Sequence, residues 1–351
     1  MKEKKMAIVC FTPQGQVLAE KIQNIWPEDA LDAKWSIEFI YKPVPFKVWM
    51  KEHFQELDVL VFIGAMGIVV RDMAPCLKTK LVDPAVVVLD EKGQFVISVL
   101  SGHIGGGNAF TLELARILEA TPVVTTSSDV NGKIAIDLFA QKNNLVIASM
   151  KQAKLCASEI VSGRQVAFLC DGKVHGNPPK ELCGSENSFK VIVSPKKQQP
   201  EDGVLHLIPK AHVLGIGCKK GTSQEIIQAR VLEELNDLGI DIRSIKAMAS
   251  IDIKSDEEGI IGFAEKFKIP VSFYSGEELA GLEGDFTPSE FVASVTGVEN
   301  VCERAAFMLA TENCVKDHSK PTLADCMVLP KSGKDGVTVS IMKTDWSVRF
   351  E

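Results

Sequence analysis

The sequence predicts an α/β protein: a mostly parallel, Rossmann-like sheet domain over residues 1–136, a small middle module and linker over 137–210, and a second α/β domain over 211–351. Three observations predict it. Short apolar runs alternate with amphipathic stretches of helical length, the rhythm of strands joined by covering helices. Glycine-rich turns close several of those runs. The rhythm weakens between Ile134 and Pro209 and resumes after His212. At 351 residues the chain has room for two or three cores.

Residues 6–11 read as a buried strand, 14–26 as an amphipathic helix, 36–41 as a strand and 46–57 as a second helix. A strand over 58–63 runs into GAMGIVVRDMAP, where Gly64 and Gly67 bracket a turn and Pro75 limits a short helix over 68–73. Strands over 84–89 and 95–100 are joined by the turn DEKG; SGHIGGGN, a helix from Asn108 and a strand over 122–126 follow. The middle module shows two short strands, GRQVAFLCDG and FKVIVS, between polar loops. The last domain reads as strand VLGIG, a helix from Thr222, a strand over 247–251, a helix over 256–267 and strand VSFYS. Helices at Gly276, Pro288 and Asn300 come next, and two strands, CMVLP and GVTVSIM, close the chain across SGKDG. Capping boxes are expected at Thr222 with Glu225, Ser275 with Glu278 and Thr287 with Glu290, the last with Pro288 at the first helical position.

Composition narrows the function. A formal charge of −7 argues against nucleic-acid binding by bulk electrostatics, and an anionic ligand would need a locally basic site. The start MKEKKMAIVCFTPQG has too short an apolar part for a signal peptide, and the stretch over 59–70 is too short and glycine-broken for a membrane span, so a cytoplasmic protein is expected. The nine cysteines are scattered with no CxxC pair: Cys10, Cys76, Cys156, Cys170, Cys183, Cys218, Cys302, Cys314 and Cys326. Most read as small buried hydrophobes in a reducing compartment, and no metal site is expected.

Three glycine loops at predicted strand ends are candidates for chemistry: GAMGIVVR, SGHIGGGN and GIGCKKGTS. None has dinucleotide or Walker spacing. The second joins a strand to a helix N-terminus, where the free N–H groups would favour negative charge, and its His103 reads either as a titratable group that touches chemistry or as a structural hydrogen-bonder. Asp129 would share its sheet edge if the two strands are neighbours. The third loop reads as a generic anion site through Lys219, Lys220 and Thr222, against a packing turn with solvated lysines. Arg71 would hold a carboxylate or else pair with an acidic neighbour such as Asp72. Glu303 reads as a solvated helical residue, and no spacing supports covalent catalysis.

Taken in order, FIGAMGIVVRDMAP, DPAVVVLDEKGQFVISVLSGHIGGGN, PVVTTSSD, GIGCKKGTS, GVENVCERAA and VLPK resemble the CbiG family, the cobalt-precorrin-5A hydrolases of anaerobic cobalamin biosynthesis. The C-terminal part is also similar to CobE-type proteins. The resemblance implies an enzyme in which water opens the ring-A δ-lactone of cobalt-precorrin-5A and acetaldehyde leaves to give cobalt-precorrin-5B. It implies His103 and Asp129 as catalytic, with Arg71, Gly105, Gly106, Gly107, Asn108, Lys219, Lys220 and Thr222 on the substrate. No cofactor is implied, since cobalt is carried by the tetrapyrrole substrate, and transient contact with neighbouring pathway enzymes is the only further partner allowed for. A non-catalytic corrinoid carrier and, less well supported, a nucleotide-binding regulator remain open as alternatives.

Overall fold

The computed structural model describes residues 2–79, 82–185, 188–312 and 321–350. Cys314 lies outside the described residues. The chain forms two compact units, Met1–Gln141 with Ile160–Ser162 and Lys142–Glu159 with Gly163–Glu351.

The first unit contains β1 (Lys2–Cys10), α1 (Pro13–Ile25), β2 (Ala33–Tyr41), α2 (Phe46–His53), β3 (Val59–Ile63), α3 (Met66–Met73), β4 (Ala85–Leu89), β5 (Phe95–Leu100), α4 (Gly107–Leu118), β6 (Thr121–Val123), α5 (Ser127–Val130) and the start of α6 (Ile136–Lys142). Its six strands are ordered β2-β1-β3-β4-β5-β6. Both faces are apolar, so side chains alternate between two cores. Met6, Ile8, Val61 and Ile63 meet Leu18, Ile22, Phe110 and Leu114 on one side. Ala7, Val9, Leu60 and Phe62 meet Phe46, Met50, Val69 and Met73 on the other. Each such large side chain contributes roughly 1.5–3 kcal/mol by leaving water.

The sheet is mostly parallel, as the α/β rhythm predicts, with one reversal. β4 and β5 pair antiparallel because DEKG is too short for a crossover, while β5 and β6 pair parallel. GAMGIVVR follows β3 and SGHIGGGN follows β5, so the reversal puts these loops at opposite ends of the sheet.

The second unit begins with β7 (Leu145–Ile147), α7 (Met150–Val161), β8 (Ala167–Cys170), β9 (Lys173–His175), β10 (Lys190–Val193) and β11 (Val204–Pro209). The middle module is more regular than two strands among loops. It holds a four-stranded sheet, β7-β11-β10-β8, and the helix α7, whose Ala153, Cys156 and Ile160 are buried at helical spacing. There follow β12 (His212–Cys218), α8 (Gln224–Asp237), β13 (Ile245–Ile251), α9 (Glu258–Phe267), β14 (Val271–Tyr274), α10 (Gly276–Ala280), α11 (Glu290–Thr296), α12 (Cys302–Thr311), α13 (Leu323–Cys326), β15 (Met327–Lys334), β16 (Val337–Lys343) and β17 (Ser347–Arg349). The five-stranded sheet runs β14-β13-β12-β16-β15, with β12 to β14 parallel and β15 and β16 antiparallel.

Of the expected capping boxes, Ser275 with Glu278 forms completely. The other two do not: α8 and α11 start from Ser223 and Ser289, because Thr222 and Thr287 bond elsewhere. No described helix is long and apolar enough to cross a membrane. Cys10, Cys156, Cys302 and Cys326 are buried as expected, and Cys183 is exposed.

Candidate active site

The chain leaves β5 at Leu100 and turns through SGHIGGGN into α4. The turn needs its glycines for close packing. A Cβ on Gly102 would lie 2.5 Å from Asn108 Oδ1, and one on Gly105 2.5 Å from Ser101 Cβ. Gly106, with φ of 81°, caps the helix in the left-handed region.

Of the four N–H groups expected to face an anion, three bond within the loop. Gly106 N–H donates to His103 O at 2.8 Å, Gly107 N–H to Ser101 O at 3.1 Å and Asn108 N–H to Gly102 O at 2.8 Å. A tight turn satisfies its own donors, so these three N–H groups are engaged within the loop and not turned to an oxyanion.

What the turn presents is side chains. Because β6 is the parallel neighbour of β5, the segment after β6 reaches the same edge, and Asp129 Oδ2 lies 2.8 Å from His103 Nε2. Ser128 Oγ is 3.0 Å from that nitrogen. Asp137 Oδ1, from the first turn of α6, lies 3.4 Å from Nδ1. Asn108 is nearly buried and links the strand ends: its Oδ1 accepts from Ser98 Oγ at 2.8 Å, and its Nδ2 donates to Thr126 Oγ1 at 2.6 Å and Asp129 Oδ2 at 3.1 Å.

A carboxylate against each ring nitrogen calls for a proton on each. The pKa of His103 is accordingly raised above the ordinary histidine value, chiefly by Asp137, with burial opposing and Asp129 adding. The two carboxylates thus favour the protonated ring, and burial works against it. His103 borders a cleft of about 370 Å³ lined also by Ser98, Ser101, Thr125 and Asp137, with no lysine or arginine among the described lining residues. Asp137 and Ser128 were not legible beforehand, since nothing in the spacing of DLFAQ or TTSSD ties them to His103. Arg71 is exposed on the last turn of α3 and does not line this cleft.

The third glycine loop lies in the second unit. Lys219 and Lys220 border a pocket of about 700 Å³ that also carries Lys254, Lys331 and Lys334 around a largely aliphatic interior. The loop already holds an anion of its own chain. Gly221 N–H donates to Glu257 Oε1, and Glu257 Oε2 pairs with Lys254 Nζ at 3.0 Å. Burial pushes the Glu257 pKa up, yet Lys254, Gly221 and Lys220 hold it below the usual range. Thr222 does not line the pocket; its hydroxyl donates to Lys219 O at 2.7 Å and closes the turn. Glu303 is fully buried and not solvated. Its carboxylate accepts from Thr287 N–H at 2.7 Å, Thr287 Oγ1 at 2.8 Å, Asn300 Nδ2 at 2.8 Å and Lys331 N–H at 2.6 Å.

Comparison with known proteins covers nearly the whole chain. The family descriptions Cobalamin synthesis G N-terminal, Cobalamin biosynthesis central region and Cobalamin synthesis G C-terminus match residues 48–129, 134–209 and 212–342. The chain is 33% identical over 326 residues to the cobalt-precorrin-5A hydrolase of Salmonella typhimurium, covering 88% of this chain and 93% of that one. It is 34% identical over 366 residues to the protein of that name from Priestia megaterium, covering 95% and 94%. Over 123 residues it is 32% identical to Protein CobE of Sinorhizobium sp, 32% of this chain and 78% of CobE. A crystal structure of a cobalamin biosynthesis protein G homolog from Sulfolobus solfataricus aligns over 97% of both chains at 21% identity with a TM-score of 0.37.

Proposed function

The chain belongs to the CbiG family of cobalamin-synthesis proteins, and from that premise we propose that it acts as a cobalt-precorrin-5A hydrolase. The reading rests on its similarity, over 88% and 95% of its length, to two relatives of that name. In the proposed reaction water adds to the carbonyl carbon of the ring-A δ-lactone and the ring oxygen leaves as an alcohol. The freed alcohol then loses its proton, its C–O bond becomes a carbonyl as the adjacent C–C bond breaks, and the electron pair passes to the macrocycle. One water is consumed and one acetaldehyde released.

The residues of the first unit fit these proton movements. In this reading Asp129, whose side chain is 35% exposed beside the cleft-lining His103, takes a proton from water. His103 donates from Nε2 to the departing ring oxygen, and the neutral imidazole left behind takes the alcohol proton in the second stage. The cleft is small beside a corrinoid, so only an edge of the macrocycle would enter. Its described lining, with serine and threonine hydroxyls and no cation, suits an uncharged lactone. Cobalt arrives in the substrate.

The lysine-bordered pocket of the second unit favours one other reading, a carrier that binds the polycarboxylate macrocycle without transforming it. Purified protein mixed with cobalt-precorrin-5A separates the two. Stoichiometric acetaldehyde, with loss of the two-carbon fragment from the macrocycle by mass, is expected of the enzyme. Tight binding without acetaldehyde would leave the carrier.

A further inference from the structure

We propose that Asp137 is the positioning residue for His103: it fixes the ring and keeps Nδ1 protonated, so that Nε2 is presented as the acid. The inference rests on the reading of His103 as the proton donor.

The two carboxylates on the imidazole are not equivalent. Asp129 is the nearer, at 2.8 Å, but its Oδ2 also accepts from Asn108 Nδ2 at 3.1 Å and lies 3.5 Å from Ser128 Oγ. Its side chain is 35% exposed, against 16% for Asp137. Solvent therefore screens Asp129 more. Asp129 also approaches the nitrogen that must be released to the substrate, whereas Asp137 approaches the one that never reacts.

The helix carrying Asp137 is anchored to the loop carrying His103. Gln141, one turn further along α6, donates from Nε2 to Ile104 O at 3.1 Å, next to His103 in the loop. The Asp137 carboxylate is itself oriented, its Oδ1 accepting from Leu138 N–H at 3.0 Å. Loop and carboxylate thus hold a common frame, the arrangement that sets a histidine's tautomer and direction. Among the described residues, the titratable groups facing the ring are Asp129 from α5 and Asp137 from α6. The polar side chains that the strand and loop add to the described lining are Ser98, Ser101 and Asn108, none of them charged.

The test uses the full chain with Asp137→Asn, Asp137→Glu and His103→Ala. His103 is followed by NMR titration of its ring Cε1–H, assigned as the signal missing from His103→Ala, and turnover is followed by acetaldehyde release. In Asp137→Asn the His103 midpoint should move to lower pH, and the alkaline limb of the kcat profile should move with it. A donor acts only while protonated, so lowering its pKa narrows the working range from the alkaline side. Turnover at neutral pH should fall at least about tenfold, with KM within about twofold of the parent. Asp137→Glu should recover part of both effects. An unmoved titration midpoint and an unmoved alkaline limb in Asp137→Asn would overturn the proposal while leaving the hydrolase reading intact. Full turnover in His103→Ala would instead remove the catalytic premise and overturn the proposed role in turnover, even with a shifted titration.

Discussion

The two ring nitrogens of His103 have different surroundings. Nδ1 faces a carboxylate 16% exposed, and Nε2 faces the more solvated Asp129 beside Ser128. Replacing the ring with Ala, or with Asn to keep a polar group of similar reach, should slow acetaldehyde release by about a hundredfold to ten-thousandfold. Circular dichroism should not change, since the ring is partly exposed and the turn is closed by backbone bonds. Near-normal turnover in both variants would leave His103 as a structural hydrogen-bonder and put Asp129 next in line for proton transfer. The raised pKa of His103 has a stability sign of its own: the clamp stabilises the fold at low pH and weakens as pH rises through the folded-state value.

At the scale of elements, Glu303 shows what a buried carboxylate held by hydrogen bonds can do. Its four accepted hydrogen bonds join the start of α12 to the segment before α11 and to β15, the strand that carries Lys331 and Lys334 to the rim of the pocket. Glu303→Ala strands all of these donors and should destabilise the protein on the order of 3 kcal/mol. Glu303→Gln keeps one acceptor oxygen and should cost less. Urea midpoints measure both, and a loss under about 1 kcal/mol for the Ala variant would mean that water replaces the latch. The turn SGHIGGGN follows a related rule, since its glycines make room for neighbouring side chains and backbone more than for a ligand.

Across the whole molecule, charge and burial make two further predictions. If Lys219 and Lys220 meet substrate carboxylates, replacing both with Ala should weaken binding by roughly 1–3 kcal/mol, more at low salt than at high, with less effect on the chemical step. Unchanged affinity at low salt would remove them from the binding surface. The second concerns acid. His212 lies buried against Ser244 Oγ at 3.0 Å, and burial lowers its pKa from 6.5 to about 4. The unfolded chain takes up this proton first, so the contribution is complete above the ordinary histidine value and lost as pH falls through the folded one. The total is on the order of 3 kcal/mol between those limits. His212→Leu should therefore show a smaller fall in urea midpoint than the parent between about pH 7 and about pH 4.5. An equal fall would trace the acid sensitivity to other groups.

The sequence by itself determined the α/β class, most of the strands and helices of both α/β domains, the kinship, and His103 and Asp129 as residues that meet if their strands are neighbours. Apolar periodicity and glycine turns are local signals, and burial acts on them directly. It also held a helix that was not read: Ala153, Cys156 and Ile160 recur at helical spacing among the polar residues of α7. Tertiary structure alone decided which strand lies beside which, and so that β5 and β6 bring Ser128 and Asp129 to His103 while GAMGIVVR goes to the other end of the sheet. It alone decided that Asp137 reaches the second ring nitrogen, that Glu257 fills the glycine loop expected to await an anion, and that Glu303 is buried. In each of these a charged side chain meets a partner far along the chain or on another element. Such pairings depend on distances of a few ångströms set by packing, and they leave no period in the residues between.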